Sequence, residues 1–215
     1  MNARRGILRL ALASVLGRAV VGGTLLGGAA LGLAGCSRES RPQFRNTDIT
    51  GADFASDLRL TGHDGKEHTL SEFRGKLVVV FFGFTQCPDV CPTTMAEMAD
   101  VMKQLGPGAE QVQVLFVTVD PERDTPELLA KYVPSFDPRF LGLTGTPEQT
   151  AVVARSFKVF YQKVPGKTPG SYTIDHTAGS YVFGRDGKLR LFVRHGQGVD
   201  TLAGDLKQLL NEKGA

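Results

Sequence analysis

The sequence predicts an α/β protein with a parallel central sheet. Leu77–Phe82 and Val112–Val119 are short, β-branched and aromatic, the composition of strands buried on both faces. Each is followed by a helical pattern that opens on a proline, at Pro92 and at Pro126. Strand–helix alternation of this kind requires parallel pairing, which gathers the loops after the strand C-termini at one sheet edge, and here those loops hold the polar residues.

Residues 1–35 precede that domain and read as an export signal or membrane anchor. Arg4, Arg5, Arg9 and Arg18 lead into Ala19–Gly35, which holds only apolar residues, glycine and one threonine. The stretch ends in Leu33-Ala34-Gly35-Cys36, a small-residue cleavage site with a cysteine where a bacterial lipoprotein signal carries its lipidated residue. The expected anchor is therefore a lipid on Cys36; the alternative is an uncleaved span at the short end for crossing a bilayer. Ala3–Arg9 also resembles a twin-arginine signal, a weak match because arginine pairs are common near export signals. Either anchor places the domain on the periplasmic or extracytoplasmic face of a bacterial membrane.

The net charge of +3 belongs to that segment. Removing its four arginines from the 25 basic residues leaves 21 against 22 acids, so no basic surface for nucleic acid remains. Residues 36–50, polar and without a sustained period, are expected to be a tether, and 51–213 a single domain of a size that buries one core. Of the three cysteines, Cys36 is assigned to the anchor. Cys87 and Cys91 are then either one disulfide or a working dithiol.

Within the domain, alternation at Leu58–Leu60 and the turn signal Asp64-Gly65 predict a hairpin over Phe54–Leu70. Met95, Met98, Val101, Met102 and Leu105 recur at helical spacing up to Gly106-Pro107-Gly108, and one such face is core rather than a methionine copper track. Thr125-Pro126-Glu127 and Thr146-Pro147-Glu148 open two further helices, with a short strand at Phe140–Leu143 between them. Lys163–Gly170, with two prolines and two glycines, is expected to be an irregular excursion. Ser180–Phe183 and Leu189–Val193 form a second hairpin about Asp186-Gly187, and Leu202–Leu210 a closing helix. This order is that of a thioredoxin-like fold with an N-terminal β-hairpin extension and an insertion before the second hairpin.

The chemistry concentrates in Gly83-Phe-Thr-Gln-Cys87-Pro-Asp-Val-Cys91-Pro92. A residue before proline avoids the helical region, so Cys91 is expected just outside a helix starting at Pro92. Both thiols would then lie at a helix N-terminus, where the macrodipole favours thiolate. A static disulfide is the plain alternative, but so short a loop recovers little chain entropy. A zinc site would need further cysteine or histidine ligands that the sequence does not cluster.

That stretch, with Val117-Thr-Val-Asp120-Pro-Glu-Arg123-Asp124 and Tyr172-Thr-Ile-Asp175-His176-Thr177, resembles the Sco/SenC family over about residues 50–213. Three motifs in one order are a specific match. The resemblance implies a membrane-tethered thioredoxin-fold copper protein serving assembly of the CuA centre of cytochrome c oxidase. It implies Cys87, Cys91 and His176 as copper ligands. The oxidase subunit that carries CuA would be the partner, and another periplasmic copper donor a second one. Two soft sulfurs and an imidazole suit Cu(I), and the imidazole also suits Cu(II). The three-residue gap between the cysteines should splay the sulfurs enough to admit a metal.

The other polar residues read more plainly. His63, His68 and His195 are expected to be solvated. His176, taken alone, is as well read as structural; Asp175 beside it could orient its ring or loop. Asp120, Glu122, Arg123 and Asp124 are either a solvated strand end with a local ion pair or a group that docks a partner or shapes the copper loop. Asp89 is either a helix-capping carboxylate or a tuner of copper and thiol potential. The functional reading is a copper metallochaperone rather than an enzyme. The alternative is a thiol–disulfide reductase of the oxidase's CuA-site cysteines, which would use the same redox-active pair, Cys87 and Cys91. A peroxidase of this fold is not supported, because Cys87 sits in a dithiol loop.

Overall fold

The computed structural model describes residues 43–212. The expected export segment and residues 36–42 of the expected tether, Cys36 among them, lie outside the described residues. The strands are Thr47–Asp48 (β1), Arg59–Gly62 (β2), Glu67–Thr69 (β3), Leu77–Gly83 (β4), Val112–Thr118 (β5), Leu141–Thr144 (β6), Tyr161–Pro165 (β7), Tyr172–His176 (β8), Gly179–Phe183 (β9) and Leu189–Arg194 (β10). The α-helices are Val90–Leu105 (α1), Pro126–Tyr132 (α2), Pro147–Ser156 (α3) and Val199–Asn211 (α4).

Eight strands form one sheet in the order β1-β10-β9-β4-β5-β6-β2-β3, while β7 and β8 pair only with each other. Every residue of β4 is buried, as its unbroken apolar run requires of a strand covered on both faces. It runs parallel to β5, with Phe81 opposite Phe116, and antiparallel to β9. Phe81 and Phe116 share a face with Met98 and Val101 of α1, Tyr132 of α2 and Leu202 of α4. Phe82 points to the opposite face, where Phe157 at the end of α3 stacks edge-on at 5.1 Å. The methionine face of α1 is core, as expected: Met95, Met98 and Met102 are all buried. Gly106 ends that helix at φ 56°, a left-handed conformation open to glycine.

Several elements depart from expectation. The tether region overlaps the fold, because Thr47 and Asp48 pair with Phe192 and Leu191. Just before them, the backbone N–H groups of Arg45 and Asn46 donate to the buried Asp205 carboxylate of α4 at 3.0 and 2.8 Å. A two-residue strand has no period to read, and its anchor lies 159 residues away. The N-terminal hairpin is shorter than Phe54–Leu70, and it extends the main sheet by pairing β2 with β6. The excursion at 163–170 is the end of β7 and most of the turn of a regular hairpin, β7 with β8, hidden from pattern reading by its prolines and glycines.

Nor is His68 solvated. It is 8% exposed, with Nδ1 2.5 Å from Glu72 Oε1 and Nε2 2.9 Å from Asp64 Oδ1. Both nitrogens can donate only if the ring is an imidazolium. Burial pulls its pKa down, but the bonds to Asp64 and Glu72 outweigh it, and the net shift is upward. A raised folded pKa gives stability that is complete below the unfolded value of about 6.5 and lost as pH rises through the folded value. His68→Gln should therefore cost about 2 kcal/mol in mildly acidic solution and less in alkaline solution. Urea midpoints of both proteins across that range check it; a pH-independent difference would contradict the pairing.

Candidate metal centre

The last residue of β4 is Gly83, where a β-carbon would stand 3.0 Å from Cys91 Sγ and 2.9 Å from the Phe81 ring. Only glycine lets the backbone pass this close to the sulfur. The chain turns through Phe84–Asp89, with the Cys87 N–H donating to the Phe84 carbonyl at 3.2 Å. The helix then begins at Val90, two residues earlier than expected. Pro92 is tolerated there because first-turn N–H groups have no intrahelical partner to lose. Cys91 thus lies inside the first turn, and its N–H donates to Cys87 Sγ at 3.4 Å.

His176 reaches the same edge from the other half of the chain. Since β9 runs antiparallel to β4 with Ser180 opposite Phe81, residues just before β9 arrive where β4 ends. His176 closes strand β8 rather than lying in a loop. Its Nδ1 is 3.1 Å from the Thr177 carbonyl, which can only accept, so Nδ1 carries the proton and Nε2 offers its lone pair. That Nε2 lies 3.4 Å from Cys91 Sγ. The ring is wedged edge-on against Phe81 and Phe84. Asp175 is exposed, so the ring is oriented by the Thr177 carbonyl and not by the neighbouring carboxylate.

One donor atom each from Cys87, Cys91 and His176 lie within 4.8 Å of one another. Both thiols are free, Cys91 buried and Cys87 half-buried. A cleft of about 250 Å³, walled by Pro88–Val90 and Thr173–Asp175, opens onto Cys87 and His176, while Cys91 does not line it. Burial pushes the Cys91 thiol far above the usual range, against the expected thiolate. A helix terminus contributes about 1 kcal/mol, whereas removing a charge from water costs several, so desolvation wins. Burial also lowers the His176 pKa and keeps the imidazole neutral, the form that binds metals. The set fits a soft cation that displaces the thiol protons as it binds.

The acidic loop after β5 is not a solvated strand end, since Asp120 and Asp124 are 1% and 0% exposed. Asp124 accepts from Thr85 N–H at 3.0 Å, Thr85 Oγ1 at 2.5 Å and Thr118 Oγ1 at 2.6 Å. It thereby holds the cysteine loop two residues before Cys87. Asp120 accepts from the Tyr172 hydroxyl at 2.8 Å and pairs with Arg123. Arg123 Nη1 donates to Gln86 Oε1 at 3.0 Å and to the Tyr172 carbonyl at 3.1 Å. Glu122 is exposed and pairs with Lys163 at 2.6 Å. Asp89 occupies the N-cap of α1, but its carboxylate makes no capping bond and stays exposed. His195 is exposed as expected, with one bond to Thr94.

The SCO1/SenC family profile matches residues 46–211, and with them all three motifs that meet at this edge. The chain belongs to the SCO1/SenC family. It is 45% identical to the mitochondrial protein SCO2 homolog of Bos taurus over 133 residues, which are 61% of this chain and 50% of that protein. The chain thus spans about half the length of the curated Sco relatives it matches. Among solved structures it resembles Bradyrhizobium japonicum ScoI with copper bound, at 40% identity and a TM-score of 0.65, covering 76% of this chain and 98% of that one. It also resembles BsSco, described as a member of the Sco family of cytochrome c oxidase assembly proteins with a disulfide switch, at 25% identity and a TM-score of 0.60, covering 78% of this chain and 98% of that one. The architecture is that of the thioredoxin-like Sco structures, as the element order predicted.

For a Sco chain, sequence reasoning reached the sulfurs, the imidazole and the acidic loop but missed what supports them. Gly83, Thr85, Thr118 and Tyr172 all fall inside or beside the quoted motifs, yet nothing local shows that Thr85 meets Asp124 across 39 residues or Tyr172 meets Asp120 across 52.

Proposed function

We propose that this chain is a membrane-tethered, extracytoplasmic copper metallochaperone that helps assemble the CuA centre of a cytochrome c oxidase. The single observation carrying this is the Cys87–Cys91–His176 trio, whose donor atoms lie within 4.8 Å of one another beneath an open cleft. The two thiols and His176 Nε2 would hold copper. Half-buried Cys87, which lines the cleft with His176, would be the sulfur that first meets an incoming or departing ion, while Cys91 lies buried behind it. The partner is the oxidase subunit that carries CuA, with another periplasmic copper donor upstream. Metal content and visible absorption of the full chain in detergent, after loading with Cu(I) and with Cu(II), test the reading. One copper per chain and a sulfur-to-Cu(II) band are expected; no stoichiometric copper in either state overturns it.

A second reading, reduction of the oxidase's CuA-site cysteines, is favoured by one contact. The two free sulfurs lie within 4.8 Å of each other, so a small shift would let the pair cycle between dithiol and disulfide with Cys87 as the accessible sulfur.

The tether is proposed to be a lipid on Cys36, with an uncleaved anchor as the alternative; among the described residues no helix is long and apolar enough to cross a membrane. Cys36→Ala should leave the domain folded and remove the lipid. Mass and lipid labelling of wild type and variant check this, and an unchanged pair of results would favour the uncleaved anchor.

A further inference from the structure

The third donor of the trio sits on a hairpin that the main sheet does not hold. Strands β7 and β8 bond only to each other, and the β9–β4 ladder that returns the chain to this edge stops at Ser180, four residues past His176, so it does not by itself fix the imidazole against the sulfurs. Among the described residues, the polar ties from residues 161–175 to the rest of the chain run to one place, the loop 120–123. Tyr172 donates its hydroxyl to Asp120, the Tyr172 carbonyl accepts from Arg123, and Lys163 pairs with Glu122. The Lys163 pair is exposed on both sides and worth little. The others are sheltered, with the Asp120 carboxylate fully buried and the Arg123 side chain 21% exposed.

Arg123 does more than pair with Asp120. Its guanidinium lies 3.7 Å from the centre of the Tyr172 ring and 5.9 Å from that of Phe84. The same Nη1 that donates to the Tyr172 carbonyl donates to Gln86, the residue before Cys87. The fork therefore touches both carriers of the donor set: the cysteine loop through Gln86 and Phe84, and the histidine strand through Tyr172.

We propose that Arg123, braced by Asp120 and Tyr172, is a positioning residue that sets whether His176 joins the two sulfurs, and so decides how well the site holds Cu(II) relative to Cu(I). This rests on the copper reading above. Two sulfurs can hold Cu(I) without the imidazole, whereas Cu(II) needs the nitrogen donor. Loosening the staple should therefore cost Cu(II) selectively. Lysine cannot replace the fork, because a point charge can meet Asp120 but not also Gln86 and the Tyr172 carbonyl.

The test uses the full chain with Arg123→Lys and, where that variant folds poorly, Tyr172→Phe, which removes only the hydroxyl to Asp120. Expected are a loss of about tenfold or more in Cu(II) affinity, a weakened sulfur-to-Cu(II) band, and a change in Cu(I) affinity of less than about threefold. Without any metal, amide exchange across Tyr172–His176 should quicken in the same variants while β4 and β5 stay protected. Equal losses for both oxidation states, or wild-type Cu(II) binding and exchange in both variants, overturn the proposal. A wild-type chain with no sulfur-to-Cu(II) band overturns instead the copper reading beneath it.

Discussion

Cys87→Ser and Cys91→Ser should each abolish stoichiometric copper binding. Either change leaves one sulfur and one imidazole, too few soft donors to hold Cu(I) against competing thiols, and a loss of about a thousandfold or more, ~4 kcal/mol, is expected. Copper content after dialysis against a thiol competitor measures it. The two variants should differ in stability even while they agree on copper. Cys91 is fully buried, with its sulfur beside His176 Nε2 at 3.4 Å and the Phe81 ring, so a serine there buries a more polar hydroxyl at a cost of about 1–3 kcal/mol. Cys87 is half-buried, and serine there should cost little. Full copper in either single variant would show that the donor set is misassigned.

His176→Ala should separate metal delivery from thiol chemistry. Two sulfurs still hold Cu(I), so that affinity should fall only in part, while Cu(II) should lose most of its affinity together with the sulfur-to-copper band. The Cys87–Cys91 disulfide should still form and reduce, since exchange needs two sulfurs and no imidazole. The ring also fills the space against Phe81 and Phe84, so some loss of stability accompanies the change and is read separately by denaturation. Oxidase assembly in cells then decides between the readings. Failure with an unchanged dithiol potential assigns the function to copper, and survival assigns it to reduction.

Local chemistry was legible where a short stretch states its own constraint. The run Leu77–Phe82 can only be a strand covered on both faces, the methionine face of α1 can only be core, and Pro126 and Pro147 after threonine mark helix starts whose N-caps are Thr125 and Thr146. The two cysteines and their three-residue gap announce a dithiol or a metal pair from sequence alone. His176 did not announce itself; by its residues it was as well read as structural, and only the family resemblance raised it.

Tertiary structure decided the rest, for one physical reason: burial is a property of what packs from elsewhere. The dipole argument at Cys91 was sound locally and lost to desolvation by surrounding strands. His68, Asp120 and Asp124 look like solvent-facing residues until partners 4 to 52 residues away enclose them. The tautomer of His176 rests on a backbone carbonyl one residue on, and its distance to Cys91 on a strand pairing between Ser180 and Phe81. Residue type and spacing determined which atoms could hold a metal; the antiparallel return of β9 beside β4 determined that they meet.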